Sequence, residues 1–167
     1  VRGDNDTDVV ELARQTLTRP WGVRFIELMP MGDGDESKLA LSRVVSSEET
    51  MERITDSIGP LIPVPATHPS DESRNYQFSG GIGTVGFISP VSDPFCSACN
   101  RVRLSAEGKL LLCLLRDDEA DLRAVIRGGG GVEAVSHALR QSILLKPVGH
   151  ALDEGIHASR RMHEIGG

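Results

Sequence analysis

The stretch VRFIELM, residues 23–29, decides the fold class of this 167-residue chain. Its apolar, β-branched and aromatic side chains predict a strand, which Pro30 and Gly32 end. Residues 8–18 precede it with apolar side chains at helical spacing behind an acidic N-terminal cap. A helix followed directly by a strand is half of a repeating β/α unit. The pair therefore predicts an α/β chain with a parallel sheet or barrel.

Two charged residues, Arg24 and Glu27, interrupt this apolar strand. Strands of parallel sheets are usually apolar because both of their faces are covered. A charged residue at the end of a barrel strand more often serves an active site than the core. Both residues are therefore candidates for function.

The pattern after this strand changes from helices and strands to short strands joined by turns. Ser46 begins a capping box for a helix over residues 48–58. Residues 33–38 are predicted to be a polar loop, and the proline-rich residues 61–73 a second loop. The remaining predictions are strands at 76–78, 84–89, 101–105 and 109–114, and helices at 117–127 and 132–144.

A glycine motif, GIGTVG at residues 81–86, matches the GxGxxG pattern of dinucleotide-binding folds. In those folds the motif follows a core strand and opens a helix. Here Phe87 and Ile88 continue the chain as a strand. The glycines are therefore predicted to serve turns and close packing.

The three cysteines of the chain, Cys96, Cys99 and Cys113, are spaced like metal ligands. Residues 105–108 are predicted to form a hairpin turn, which would bring Cys113 back toward Cys99. Three thiolates leave one position of a zinc site or of a 4Fe–4S cluster without a cysteine. Such a position is open to another ligand.

Two arginines, Arg101 and Arg103, follow the second cysteine directly. Strand alternation would place both side chains on one face. Guanidinium groups favour anionic ligands because their rigid fork matches phosphate and carboxylate. An open metal position beside such a clamp predicts a substrate site.

The cysteine spacing leaves two other uses open. A disulfide with one additional thiol would suit a secreted protein, but residues 1–6 contain no apolar signal region. A structural zinc site with three cysteines and a histidine is also consistent with the spacing, although His137 lies beyond a glycine run. Spacing alone does not separate zinc from an iron–sulfur cluster.

Composition argues against several classes of partner. A net charge of −6 argues against a nucleic-acid-binding protein. Aromatic residues make up 4% of the chain, too few for a platform that stacks single-stranded bases. No apolar run approaches membrane-spanning length, so no membrane partner is expected.

Together these motifs resemble the GTP 3′,8-cyclases of molybdenum cofactor biosynthesis, a radical S-adenosylmethionine family. The matching segments are RFIELMP at 24–30, GFI at 86–88, PFCSACNRVRL at 94–104, GK at 108–109, CL at 113–114 and MHEIGG at 162–167. The resemblance covers essentially the whole chain but only the C-terminal half of such an enzyme. The family's N-terminal CxxxCxxC motif does not occur in this sequence.

The resemblance implies a fold. Residues 1–59 would be the last units of an incomplete (β/α)6 TIM-type barrel, truncated at its N-terminus. Residues 60–167 would add a small antiparallel sheet layer that carries an iron–sulfur cluster and binds GTP.

The resemblance also implies a reaction. The complete enzyme would convert GTP to 3′,8-cyclo-7,8-dihydro-GTP by S-adenosylmethionine radical chemistry, the first step of molybdenum cofactor (molybdopterin) biosynthesis. This half alone would be inactive, because the 4Fe–4S cluster that cleaves S-adenosylmethionine belongs to the missing half. The alternative is a stand-alone structural zinc module.

Individual residues take roles from the same resemblance. The expected ligands of a second 4Fe–4S cluster are Cys96, Cys99 and Cys113. The expected GTP-binding residues are Arg24, Arg101, Val102 and Arg103. Met29 would contact S-adenosylmethionine through its backbone, and the tail glycines Gly166 and Gly167 would reach the active site as catalytic residues.

The implied partners are GTP, S-adenosylmethionine and a second copy of the full-length chain in a homodimer. The product would pass to cyclic pyranopterin monophosphate synthase. The implied location is the cytoplasm.

Overall fold

A computed structural model describes residues 1–165 of the chain. The helices are α1 (Val9–Arg14), α2 (Gly34–Ser42), α3 (Ser47–Ile58), α4 (Leu122–Arg127) and α5 (Val132–Leu144). The strands are β1 (Gly22–Ile26), β2 (Leu61–Pro63), β3 (Arg74–Phe78), β4 (Thr84–Ile88), β5 (Arg103–Leu104), β6 (Lys109–Leu111) and β7 (Glu119–Asp121). None of these helices combines the length and the apolar content that crossing a membrane requires.

The chain divides into two compact units. The first comprises Val1–Met29 and Ala40–Cys99, and the second comprises Pro30–Leu39 and the residues from Asn100 onward. Each unit has its own sheet and its own buried apolar cluster. The mixed helix and strand content confirms the predicted α/β class.

The first unit is built on a four-stranded sheet with the order β1-β4-β3-β2. β1 pairs with β4 in parallel, and β3 is antiparallel both to β4 and to β2. The parallel pair agrees with the β/α pattern predicted from residues 8–29. The antiparallel strands agree with the change in pattern predicted after residue 59.

One face of this sheet carries the core of the first unit. The Phe87 ring lies 5.9 Å from the Phe25 ring and 5.7 Å from the Tyr76 ring, measured between centroids. Ala13 of α1 and Ile54 of α3 are fully buried in the same cluster. Most of the apolar positions predicted for these two helices therefore form core, but Leu12 of α1 is exposed.

Helix α3 begins as its sequence predicts. The Ser46 hydroxyl accepts the backbone N–H of Glu49 at 3.1 Å, which caps the helix. Gly59 ends the helix with a φ of 134°, a conformation that favours glycine.

The second unit is built on a three-stranded antiparallel sheet with the order β5-β6-β7. Gly108 has a φ of 79°, and its N–H donates to Ser105 O at 3.0 Å, so the predicted hairpin between β5 and β6 is confirmed. The buried cluster contains Leu110, Leu112 and Leu122, with Leu139 of α5 packed against it.

Three predictions of secondary structure are wrong. Residues 33–38, predicted to be a loop, include the first turn of α2, and residues 61–63 form β2 rather than loop. Residues 117–127, predicted to be one helix, contain β7 and then α4. Strand β7 is stabilised by Lys109, whose ammonium group pairs with the carboxylates of Glu119 and Asp121.

Candidate functional site

A single turn positions two of the candidate metal ligands in the first unit. Cys96–Ala98 forms a short 3₁₀ turn, and the Cys99 N–H donates to Cys96 O at 3.1 Å. Side chains three residues apart in such a turn point to the same side. Both thiol groups are half-buried. The turn therefore presents Cys96 and Cys99 as a pair.

The buried carboxylate of Glu27 holds the chain segment that leads into this turn. Its Oε2 accepts the N–H groups of Val91 and Ser92, at 3.1 and 2.9 Å. Its Oε1 accepts the Ser47 N–H at 2.8 Å and a short hydrogen bond from the Ser92 hydroxyl. Glu27 is only 4% exposed. Its hydrogen bonds therefore connect three segments of the first unit: the end of β1, the start of α3 and residues 91–92.

These hydrogen bonds also set the ionisation of Glu27. Burial raises the pKa of the Glu27 carboxyl, but hydrogen bonds from the Ser92 hydroxyl and from the N–H groups of Ser92, Ser47 and Val91 lower it. The net pKa lies below the ordinary value of a glutamate, because four donors stabilise the carboxylate. This residue therefore remains charged at neutral pH and organises structure.

The third cysteine lies in the second unit, in the turn between β6 and β7. Arg116 follows it, and the Arg116 Nε donates to Asp118 Oδ2 at 2.6 Å. Asp118 raises the pKa of Arg116 most, and the negative charges of Cys113 and Glu154 also raise it. Arg116 is thus a cationic group beside Cys113 that sequence reasoning missed. Its position three residues after a cysteine was the available signal.

A lysine stabilises the backbone of the same turn. Lys146 Nζ donates to Leu112 O at 2.5 Å, immediately before Cys113. The Cys113 turn therefore has two cationic groups near it, Lys146 at Leu112 O and Arg116 close to Cys113.

The predicted phosphate clamp occupies the start of the second unit. Arg103 lies in β5, opposite Leu111 of β6. Arg101 and Val102 precede that strand, which is shorter than predicted. Arg101 lies outside β5, so alternation along the strand does not determine whether its side chain shares a face with Arg103. Val102 is 40% exposed.

Arg24 lies in β1, on the first unit. Its side chain is exposed and forms no hydrogen bond or ion pair with any residue in the described range 1–165. It borders an open cavity of about 230 Å³ that Glu27 and Ser47 also line. Arg24 is therefore available to an anionic ligand.

Three predicted site residues remain. Met29 follows β1 and is half-buried. Gly166 and Gly167 lie outside the described residues, so their catalytic role stays a prediction.

The cysteines form no disulfide bonds in the described structure. Within residues 1–165, no three His, Cys, Asp or Glu side chains are arranged to hold a metal ion. Three thiolates suit soft metals such as iron in clusters or zinc by their chemistry. The donor types therefore fit a metal centre.

The glycines of the GxGxxG motif have the packing roles predicted for them. A Cβ on Gly83 would collide with Trp21 O and lie 2.5 Å from Arg19 O. Strand β4 begins at Thr84, within the motif, where a dinucleotide-binding fold would have a helix.

Comparison with known proteins places these residues in a family. The family described as Molybdenum Cofactor Synthesis C matches residues 21–152. Among curated proteins, the chain is similar to a GTP 3′,8-cyclase from Pelotomaculum thermopropionicum, with 41% identity over 167 residues covering 100% of this chain and 51% of that protein. A GTP 3′,8-cyclase from Moorella thermoacetica is 39% identical over 166 residues, covering 99% of this chain and 50% of that protein. The chain thus spans about half the length of the curated relatives it matches.

Proposed function

The chain belongs to the Molybdenum Cofactor Synthesis C family, and from that membership we propose that it is the C-terminal half of a GTP 3′,8-cyclase. The complete enzyme would convert GTP to 3′,8-cyclo-7,8-dihydro-GTP by S-adenosylmethionine radical chemistry, the first step of molybdenum cofactor biosynthesis. The observation that carries the proposal is the similarity along the whole chain to proteins named GTP 3′,8-cyclase.

Cys96, Cys99 and Cys113 would hold a 4Fe–4S cluster, whose iron without a cysteine ligand would bind the guanine base. The 3₁₀ turn supports this assignment because it presents Cys96 and Cys99 on one side. Glu27 holds the segment before that turn, and Arg116 and Lys146 supply positive charge at the Cys113 turn. The two cations would compensate the negative charge of a thiolate-bound cluster at the Cys113 turn.

GTP recognition would rest on three arginines and one valine. The proposed residues are Arg24, Arg101, Val102 and Arg103. A guanidinium fork suits the paired oxygens of a phosphate group. The lack of an ion-pair partner for Arg24 among residues 1–165 supports its share of this role.

The proposal extends to the other parts of the complete enzyme. Residues 1–59 would complete a (β/α)6 barrel with an N-terminal half that carries a second 4Fe–4S cluster. Met29 would contact S-adenosylmethionine, and Gly166 and Gly167 would enter the active site. We place the enzyme in the cytoplasm as a homodimer that hands its product to cyclic pyranopterin monophosphate synthase.

A chimera tests this function. This chain replaces the matching half of the Pelotomaculum thermopropionicum relative, and the protein is prepared without oxygen with iron and sulfide. GTP, S-adenosylmethionine and a reductant are added, and the 3′,8-cyclised product is measured by mass spectrometry. We expect product from the chimera and from the parent enzyme, and none from the isolated chain.

Two results would overturn the proposal. One is an active parent enzyme beside a folded, iron-loaded chimera that forms no product. The other is a chimera that binds one zinc ion at these cysteines and no second cluster, which would establish the structural zinc module instead.

A further inference from the structure

Three neighbouring strands bring two polar side chains over one glycine of the first unit. Gly86 of β4 is paired with Arg24 on one side, in β1, and with Asn75 on the other, in β3. Because side chains alternate along strands, these three positions share one face. The core rings of Phe25 and Phe87 lie on the opposite face.

Gly86 leaves a gap that the two neighbours share. A Cβ at Gly86 would lie 2.7 Å from Asn75 Oδ1 and 3.1 Å from Arg24 Cγ, and it would collide with Ser73 Oγ. Arg24 and Asn75 therefore approach the same point from opposite sides. Any other residue at position 86 would push them apart.

A buried serine fixes the orientation of the Asn75 amide. The Ser73 hydroxyl donates to Asn75 Oδ1 at 2.8 Å, and Ser73 is only 5% exposed. The Asn75 Nδ2 group is therefore left as a hydrogen-bond donor. No acceptor within residues 1–165 receives it.

Two side chains with donor groups, one charged and one neutral, thus flank Gly86, and neither donor group has an acceptor within residues 1–165. An unsatisfied donor beside an uncompensated positive charge favours an anionic oxygen. We propose that Asn75 is a nucleotide-binding residue, which donates its Nδ2–H to a phosphate oxygen of the GTP held by Arg24. The assignment rests on the proposed function, and Ser73 and Gly86 position the two donors.

The test measures GTP binding to the chimera by calorimetry, with three variants. Asn75→Ala removes the donor, and we expect about a tenfold loss of affinity, as for a hydrogen bond to a charged group. Asn75→Asp keeps the shape, still accepts from Ser73, and replaces the Nδ2 donor with a negatively charged oxygen. It should bind more weakly than Asn75→Ala, because the carboxylate repels phosphate and neutralises Arg24.

A control for the change in charge can be made at Gln77, on the same strand. Gln77→Glu makes the same amide-to-acid change two residues further on, where the Gln77 amide instead donates to Gly81 O at 2.7 Å. We expect GTP affinity within about twofold of wild type, since Gln77 lies outside the proposed phosphate contact and salt weakens the effect of a charge at a distance. Circular dichroism and iron content should match wild type in all three variants.

The outcomes separate this inference from the proposed function. If wild-type chimera binds GTP and Asn75→Ala binds it equally well, the role of Asn75 is overturned and the proposed function stands. If Asn75→Asp binds as well as Asn75→Ala, the contact with phosphate is overturned. A wild-type chimera that binds no GTP overturns the proposed function together with this inference.

Discussion

The carboxylate of Glu27, at the end of β1, accepts the backbone N–H of Ser47, the first residue of α3, at 2.8 Å. The same carboxylate accepts two further N–H groups and one hydroxyl from the segment at residues 91–92. Negative charge at a helix N-terminus is stabilising, because the first N–H groups of a helix have no partner within it. One side chain therefore joins a strand, a helix and the approach to Cys96.

The first prediction is that Glu27→Gln destabilises the chain although it preserves shape. If the oxygen of the new amide faces the N–H groups of Val91 and Ser92, its NH2 group faces the Ser47 N–H, and two donors meet. If the amide is turned over, its NH2 group faces the N–H groups of Val91 and Ser92 instead. At least one buried donor loses its acceptor, and each such loss costs about 1–3 kcal/mol in the free energy of unfolding.

Urea unfolding of the purified chain measures this loss. Ser92→Ala is the matched control, because it removes only the hydroxyl donor and leaves all three N–H bonds to Glu27 in place. Its loss should be smaller than that of Glu27→Gln. Equal stability of Glu27→Gln and wild type would show that these hydrogen bonds contribute nothing.

The second prediction concerns pH. The pKa of Glu27 is lower in the folded chain than in the unfolded one, so its carboxylate contributes stability above the unfolded pKa. That contribution is lost as the pH falls through the unfolded pKa toward the folded one. Asp6 and Glu49, whose pKa values are also lowered, add losses of the same sign.

The comparison with Glu27→Gln isolates the share of Glu27. The difference in unfolding free energy between wild type and this variant should be largest near neutral pH and should shrink between about pH 5 and pH 3. A difference that stays constant over this range would mean that the charge of Glu27 has no role in stability.

The sequence predicts the core of the first unit well, because its apolar positions follow clear periods. Ile54 of α3 falls at a helical spacing and is fully buried. Helix α2 was missed because it lacks such a stripe. Within it only Ser37 is buried, while Leu39 and Leu41 are exposed.

The missed strands have no core pattern because each lies at the edge of its sheet. Pro63 is tolerated in β2, since an edge strand leaves one row of backbone groups unpaired. Strand β7 contains Glu119 and Asp121, which are poor strand formers in isolation. Pairing with Lys109 across the sheet compensates for both, and local sequence does not show that contact.

The candidate site also contains some residues that the sequence identifies and others that it does not. The cysteines could be identified from their spacing. The hydrogen-bonding role of Glu27 could not, because its donors are 20, 64 and 65 residues away along the chain. Its charge marked it as unusual, but a functional residue and a structural carboxylate give the same signal in one sequence.

The third prediction concerns the cluster ligands. Changing Cys96, Cys99 or Cys113 singly to Ser in the chimera should remove one cluster, since a hydroxyl is a poor ligand for iron in place of a thiolate. Iron content should fall from about eight to about four atoms per chain. Ser97→Ala, an exposed change within the same turn, should leave it unchanged. Full iron and sulfide in two of the three serine variants would contradict the assignment.

The fourth prediction concerns the phosphate clamp. Arg103→Ala should weaken GTP binding to the chimera about tenfold or more, the scale of a lost charge-assisted hydrogen bond. Arg103→Lys should recover only part of this loss, because an ammonium group cannot form the paired hydrogen bonds of a guanidinium. Arg127→Ala, at the exposed end of α4, is the control for lost positive charge. Equal affinity of Arg103→Ala and wild type would remove Arg103 from the site.

The last prediction decides what the GxGxxG motif does. A Cβ on Gly83 would meet backbone atoms of Arg19 and Trp21, which cannot move without breaking hydrogen bonds such as that from Thr84 N to Trp21 O at 2.9 Å. Gly83→Ala should therefore cost about 1–3 kcal/mol of unfolding free energy, as overpacking does. Gly22→Ala is the control in the neighbouring strand, since its Cβ would lie at an ordinary 3.4 Å from Thr84 Oγ1. If Gly83→Ala and Gly22→Ala have the same midpoint of urea unfolding, close packing does not require a glycine at position 83. A nucleotide role for its glycines would then have to be reconsidered.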